Sequence, residues 1–131
     1  MDRYMEIAIQ QAQAAKAAGD FPYGAVLVRG GEMIATGRNR MNTQNDPTSH
    51  AEIDVLREAG LLDTYEGILM YASAFPCLMC AGPIVYHGVP EIIAGASWEG
   101  YEGSRSFMES HGVKITVLEL EECRKLLEED S

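Results

Sequence analysis

The stretch GILMYASAFPCLMCAGPIVYHGVPEIIAGA, residues 67–96, decides the fold. Gly67 to Ser73 form an apolar run of strand length, and Pro76 then sits where a helix begins, because the fixed φ of proline suits a first turn. The spacing predicts a helix from Cys77 to about Tyr86 and a second strand from Glu91 to Ala96. Strand, helix and strand in that order make a crossover between parallel strands, with the helix lying on one face of the sheet. The alternation continues through a short helix at Ser104 to Ser110, a strand at Lys114 to Leu118 and a closing helix at Glu119 to Glu129. Upstream, Ala25 to Val28 and Met33 to Thr36 flank Gly30-Gly31, a pair that supplies the positive φ angles of a hairpin turn, so these two strands are antiparallel. An alanine-rich segment from Arg3 to Ala18, ended by Gly19, reads as the first helix. A polar loop from Asn39 to Ser49 precedes another helix, from His50 to about Ala59. The expected architecture is a three-layer α/β/α sandwich around a five-stranded mixed sheet, in one domain spanning residues 1–131.

Two short motifs carry chemistry. Cys77 and Cys80 lie three apart just after Pro76, so both sulfurs project from the first turn of one helix, whose positive dipole end favours thiolates. His50-Ala51-Glu52 follows Asp46-Pro47-Thr48-Ser49, a turn in which Thr48 or Ser49 is expected to cap the next helix. His50, Cys77 and Cys80 give one nitrogen and two sulfurs, the ligand count at which a catalytic zinc keeps its fourth position for water. Water held there loses a proton near neutral pH, and Glu52, left over from the ligand set, is placed to carry that proton. Each half alone also has an ordinary reading, since Cys-x-x-Cys can be a redox pair and a lone His a core or surface residue. A structural zinc site closes with four ligands, and these motifs offer three. H-x-E followed by P-C-x-x-C is the recorded signature of the zinc deaminases.

The bulk properties narrow the partners. With 47% hydrophobic and 23% charged residues the chain has the composition of a soluble globular protein. No apolar run approaches the roughly 20 residues that cross a bilayer. Asp2, Arg3 and Glu6 break any signal-peptide pattern, so the expected location is cytoplasmic, with no membrane partner. A net charge of −10, from 20 acidic and 10 basic residues, disfavours a nucleic acid, whose phosphates are held mainly by Lys and Arg. The acidic tail from Glu119 to Asp130, with Arg124 and Lys125 inside it, reads as a solvated helix face. Cys123 is expected to be a small buried residue of that helix, and no disulfide framework is suggested.

With these motifs the chain resembles the cytidine deaminase superfamily, in the branch of fungal-type cytosine deaminases, guanine deaminases and tRNA adenosine deaminases. The resemblance covers nearly the whole chain. It rests on Phe21-Pro22-Tyr23-Gly24-Ala25, on Asn39 eleven residues before His50, on Asp46 to Glu52 and on Pro76 to Gly82. The run from Asp46 to Ile53 is similar to the tRNA editors, whereas Ile84 to Pro90, Gly112-Val113 and Glu121 to Lys125 are similar to the cytosine deaminases. It implies zinc on His50, Cys77 and Cys80, proton shuttling by Glu52, and base recognition by the Asn39 side-chain amide and the Ala51 N–H. The implied reaction is hydrolytic deamination of a free nucleobase, a small-molecule substrate. Cytosine comes first, then guanine or another amino-heterocycle such as isocytosine or an aminotriazine. Adenosine in tRNA is the runner-up, and a catalytically silent structural partner is the remaining alternative. Relatives pair through the helices beside the zinc site, which implies a homodimer with Ile84, Val85 and Tyr86 in the contact.

Two departures from the family pattern bear on the substrate. Phe75 stands where many relatives carry Glu, altering the rim beside the leaving amine. The acidic, aromatic C-terminal extension with which fungal-type cytosine deaminases close the site has no counterpart before Ser131, so the carboxylate that reads the amino group is left unassigned. Trp98, Glu99, Tyr101 and Glu102, in the loop after the fourth strand, are expected to supply an aromatic lid and that carboxylate, because α/β ligands gather at strand C-termini. Glu128, Glu129 and Asp130 would reach the pocket only if the last helix bent over it. His87 and His111 are expected outside the zinc set.

Overall fold

A computed structural model of the chain describes residues 2–130. Helix α1 (Arg3–Ala17) starts at Asp2, whose carboxylate accepts the Tyr4 N–H as an N-cap, and it ends before Gly19. Strands β1 (Gly24–Arg29) and β2 (Glu32–Arg38) form the expected hairpin, with Gly30 and Gly31 at φ +59° and +78°. Helix α2 (Ala51–Ala59), β3 (Ile68–Ala72), α3 (Leu78–His87), β4 (Glu91–Ala94), α4 (Glu102–Ser110), β5 (Lys114–Val117) and α5 (Glu121–Glu129) follow. The sheet order is β2-β1-β3-β4-β5. β1 runs antiparallel to both of its neighbours, and β3, β4 and β5 are mutually parallel, so the sheet is mixed as expected.

Side-chain alternation along β1 separates the two cores. Ala25 and Leu27 pack with Ala51 and Val55 of α2, Ala81 and Ile84 of α3 and Met108 of α4. Val26 and Val28 point the other way, onto Met5, Ala8 and Ala12 of α1 and Cys123 and Leu126 of α5. Three helices therefore cover one face and two the other, which is the three-layer sandwich. The helices lie close against the sheet. A Cβ on Gly37 of β2 would come within 2.4 Å of the Val55 backbone nitrogen, and one on Gly95 within 2.3 Å of Cys123 Sγ. Cys123 is buried as expected, and burial, with Glu122 adding, pushes its thiol up to about 11.

Two helix starts differ from the sequence expectation. Neither Thr48 nor Ser49 caps α2. The Thr48 N–H and hydroxyl are spent on Asp46 Oδ1, the Ser49 hydroxyl donates to Gln44, and the cap position falls to His50, which makes no capping bond through its side chain. The last helix begins at Glu121 and not at Glu119, because Glu119 has φ +53°, outside the helical region, and its carboxylate accepts the Ser97 N–H and hydroxyl.

Behind the start of α2 lies a charged contact that fixes β2 to the helix. Asp54, 1% exposed, accepts the Arg38 N–H at 3.0 Å and Arg40 Nε at 3.1 Å, with Arg57 Nη1 at 3.6 Å. Asp54→Ala strands these donors beside a buried gap. It is expected to cost about 3 kcal/mol in urea unfolding, at the low end for a broken buried pair because Arg40 and Arg57 keep partial access to water. A loss under about 1 kcal/mol would show that solvent replaces the carboxylate.

Candidate metal centre and substrate pocket

Two helix N-termini converge on one point. His50 occupies the cap position of α2 and Cys77 that of α3, with Cys80 inside the first turn of α3. Their ligand atoms form a small triangle: His50 Nδ1 lies 3.5 Å from each sulfur, and the sulfurs are 3.8 Å apart. Tetrahedral zinc, with bonds of about 2.3 Å to sulfur and about 2.0–2.1 Å to nitrogen, spans about 3.8 Å between two sulfurs and about 3.6 Å between sulfur and nitrogen. The donor set and its spacing therefore fit zinc. Among the described residues, this is the group of three His, Cys or acidic side chains placed to hold a metal ion.

The electrostatics of the triangle suit a cation. The Cys80 thiol donates to Cys77, a bond that, with help from His50, brings the Cys77 thiol down to about 4, while the same bond and burial push Cys80 up. A divalent cation held between Cys77 and Cys80 would displace the proton of that bond and favour both thiolates. The hydrogen bond with Cys77 raises His50 against the opposing effect of burial. Glu52, 6% exposed and one residue into α2 beyond Ala51, lies beside the triangle without being part of it, and burial raises its carboxyl. A buried carboxyl drawn toward neutrality is suited to taking up and releasing a proton near pH 7.

A cavity of about 500 Å³ opens over this centre. Its floor holds His50, Ala51, Glu52 and Cys77, and its walls include Asn39, Ala74, Phe75, Met41 and Trp98. Asn39 is 1% exposed at the end of β2, and its Oδ1 accepts the Met41 N–H, which leaves the amide NH2 as the group it can offer a ligand. Ala51 opens α2, so its N–H is one of the donors that the helix itself does not use. Phe75 is buried against the wall, with its carbonyl accepting Trp98 Nε1–H at 2.7 Å and its N–H donating to Ala96.

The loop after β4 does only half of what the sequence suggested. Trp98 lines the pocket, but Tyr101 packs behind Phe75, with the two rings edge to face and their centroids 5.0 Å apart, and does not line it. Glu99 and Glu102 are exposed and also lie outside the lining, because α4 begins at Glu102 and is pinned by the Ser104 hydroxyl on the Pro76 carbonyl. The carboxylate at the pocket comes from the other end of the chain. Leu127 and Asp130 of the α5 terminus line the rim, where Asp130 accepts the Tyr23 hydroxyl. Burial and this acceptor raise the Tyr23 phenol, so it stays a donor at neutral pH. Phe21 and Tyr23 complete the rim. The spacing of Cys123, Leu127 and Asp130, four and three apart on one helix face, is the sequence signal that could have placed Asp130. His87 packs against the rings of Tyr65 and Tyr86, and His111 ends α4 against the Phe107 carbonyl, both outside the metal set as expected.

The loop that delivers His50 hangs on Asp20. Burial opposes ionisation of Asp20, but the Thr43 N–H and hydroxyl and the Asn42 N–H prevail and hold its carboxyl below the usual range. A depressed carboxyl contributes stability above its unfolded value of about 3.9, and that contribution is lost as pH falls through the folded value. Asp20→Asn is therefore expected to lower unfolding free energy by about 1–2 kcal/mol at pH 7. The gap to wild type should close on acidification below about pH 4. A gap that persists unchanged at pH 3 would refute the electrostatic origin.

Comparison with known proteins agrees with this geometry. Residues 1–96 match the family model described as the cytidine and deoxycytidylate deaminase zinc-binding region. A tRNA-specific adenosine deaminase of Buchnera aphidicola is 39% identical over 99 residues, which take in 73% of this chain and 66% of that protein. A second, from Aquifex aeolicus, is 32% identical over 96% of this chain and 90% of its own. The structure of guanine deaminase from Nitrosomonas europaea superposes with a TM-score of 0.82 at 26% identity, covering 97% of this chain and 82% of that one. No helix among the described residues is long and apolar enough to cross a membrane. A His and two Cys spaced for zinc, a buried carboxylate beside them and this family match lead to one conclusion: the chain belongs to the cytidine and deoxycytidylate deaminase family.

Proposed function

We propose that the protein removes the exocyclic amine of a free aminated nucleobase by hydrolysis. The observation that carries this reading is Asp130, a carboxylate held at the rim of a pocket whose floor is the metal centre. A carboxylate there accepts the N–H edge of a bare base and repels the phosphates of a polynucleotide. The cations point the same way. Lys16, Arg40, Arg57, Arg105, Lys114, Arg124 and Lys125, seven of the ten, are already paired with carboxylates of this chain. Guanine gains support as the base from the Nitrosomonas guanine deaminase, whose likeness extends over 97% of this chain. Cytosine, placed first on sequence grounds, has no such support among the relatives described above.

When bound, zinc supplies Lewis-acid activation of water at neutral pH. The side chains do the rest. Glu52 takes the proton from the attacking water and delivers it to the ring nitrogen next to the reacting carbon, then passes a proton to the amine as the C–N bond breaks. A C–O bond forms, ammonia leaves and the ring carbon becomes a carbonyl. The Asn39 amide and the Ala51 N–H hold the substrate carbonyl, while Phe75 and Trp98 wall the ring in and Asp130 accepts from its outer edge.

A second reading, deamination of adenosine in tRNA, is favoured by the two tRNA-specific relatives. One assay separates the two. Ammonia release from the zinc-loaded protein is measured with guanine, cytosine, isocytosine, an aminotriazine, adenine and adenosine, and with a tRNA anticodon stem-loop at low and high salt. Turnover of a free base is the expected result. Turnover of the stem-loop alone, lost in high salt, would replace this reading with the second, and full zinc occupancy with no turnover at all would favour a silent structural role.

A homodimer is part of the proposal. Leu61, Leu78, Met79 and Tyr86 are exposed apolar residues on or just after α2 and α3. Ile84, expected in that contact, is buried within the protomer's own core, so the pairing face is the outer surface of these helices. Sedimentation at micromolar concentration should give a dimer.

A further inference from the structure

The end of α5 is built against its own electrostatics. A helix C-terminus carries partial negative charge and favours cations, yet Glu128, Glu129 and Asp130 close this one and no basic residue lies in its last turn. Two contacts from the first part of the chain hold it. Lys16 of α1 bonds Glu129 at 2.6 Å, and the Tyr23 hydroxyl donates to Asp130 Oδ2. The Lys16 pair is about half exposed on both sides and weakly held in water. Tyr23 is half-buried in the pocket rim, so its bond is the less screened of the two.

We propose that Tyr23 is a positioning residue for substrate selection: by engaging one oxygen of Asp130 it leaves the other to accept the outer N–H of a free base, and it closes the rim where an N-linked sugar would leave the ring. This rests on the free-base reading of the same site. The reacting carbon must sit at the floor, beside Glu52, which puts the opposite edge of the ring at the rim formed by Phe21, Tyr23, Leu127 and Asp130. A ring nitrogen carrying hydrogen satisfies the free carboxylate oxygen. A nitrogen carrying ribose offers no donor and brings bulk against the Tyr23–Asp130 contact. The two effects select in the same direction.

The test is steady-state kinetics of the zinc-loaded wild type, Tyr23→Phe, Asp130→Asn and the double variant, with guanine and cytosine beside guanosine and cytidine. Phenylalanine keeps the ring in the rim and removes only the hydroxyl. For the base that is turned over, KM is expected to rise about tenfold in Tyr23→Phe, with kcat within about threefold of wild type and a smaller preference for base over nucleoside. Because Tyr23 acts through Asp130, adding Tyr23→Phe to Asp130→Asn should cost nothing further. A wild type that turns over base while Tyr23→Phe keeps its KM and preference overturns the inference alone, and so do penalties that multiply in the double variant. A wild type inactive on every free base overturns the reading of the site and the selection role with it.

Discussion

Glu52→Gln is expected to lower kcat by about a thousandfold or more while zinc content stays at the wild-type level. The glutamine matches glutamate in size and fills the same buried position, so the pocket keeps its shape. What it loses is the ability to accept a proton from water and return it to the substrate. Glu52 lies outside the triangle of His50, Cys77 and Cys80, so the metal should remain. Metal analysis and ammonia release on the same sample decide the matter. If zinc falls together with activity, Glu52 supports the metal centre and the shuttle assignment fails; if activity survives within tenfold, another group carries the proton.

Gly37→Ala is expected to cost about 4 kcal/mol or more, enough to leave much of the protein unfolded at 37 °C. The new methyl would meet the Val55 nitrogen at 2.4 Å and the Val55 Cα at 2.7 Å. Backbone cannot rotate away as the tip of a side chain can, so α2 must move as a body. His50 and Glu52 ride on the first turn of that helix, and zinc affinity should fall with stability. Gly103 provides the control. It lies in α4 with open space where a methyl would go and without a positive φ, and Gly103→Ala should be neutral or stabilising by up to about 1 kcal/mol. Denaturant melts of both variants test the pair, and equal effects would show that the approach of β2 to α2 is soft.

The metal centre was legible in the sequence because its signal is local. Cys77, Cys80, His50 and Glu52 announce themselves by type and spacing, and each pair sits at one helix start, where chain geometry alone brings the groups together. The hairpin was legible for a similar reason, since Gly30 and Gly31 carry the turn by themselves. The pocket rim was not. Asp130 meets Tyr23 across 107 residues, and the tail containing it has the composition of a solvated helix, so only its helical spacing from Cys123 and Leu127 sets it apart from the neighbouring acids, and nothing local names Tyr23 as its partner. Tyr101 was misplaced in the opposite sense: an aromatic in the right loop turned out to support Phe75 from behind, a distinction that depends on where α4 begins. The expected cap of α2 failed because Asp46 competes for the Thr48 hydroxyl two residues away. Groups that act on near neighbours show themselves in the chain, whereas each misplaced residue depends on a contact whose partner the sequence does not name.

Trp98 is the only tryptophan in the chain, and its indole N–H is tied to the Phe75 carbonyl two residues before Cys77. All tryptophan emission from the protein therefore originates at the pocket wall, beside the segment that delivers a metal ligand. A planar heterocycle stacking in the pocket should quench that emission, and loss of the indole hydrogen bond should shift its colour. The molecule thus carries a built-in optical gauge, and rapid-mixing fluorescence can time the arrival of a base or the departure of the metal without any label.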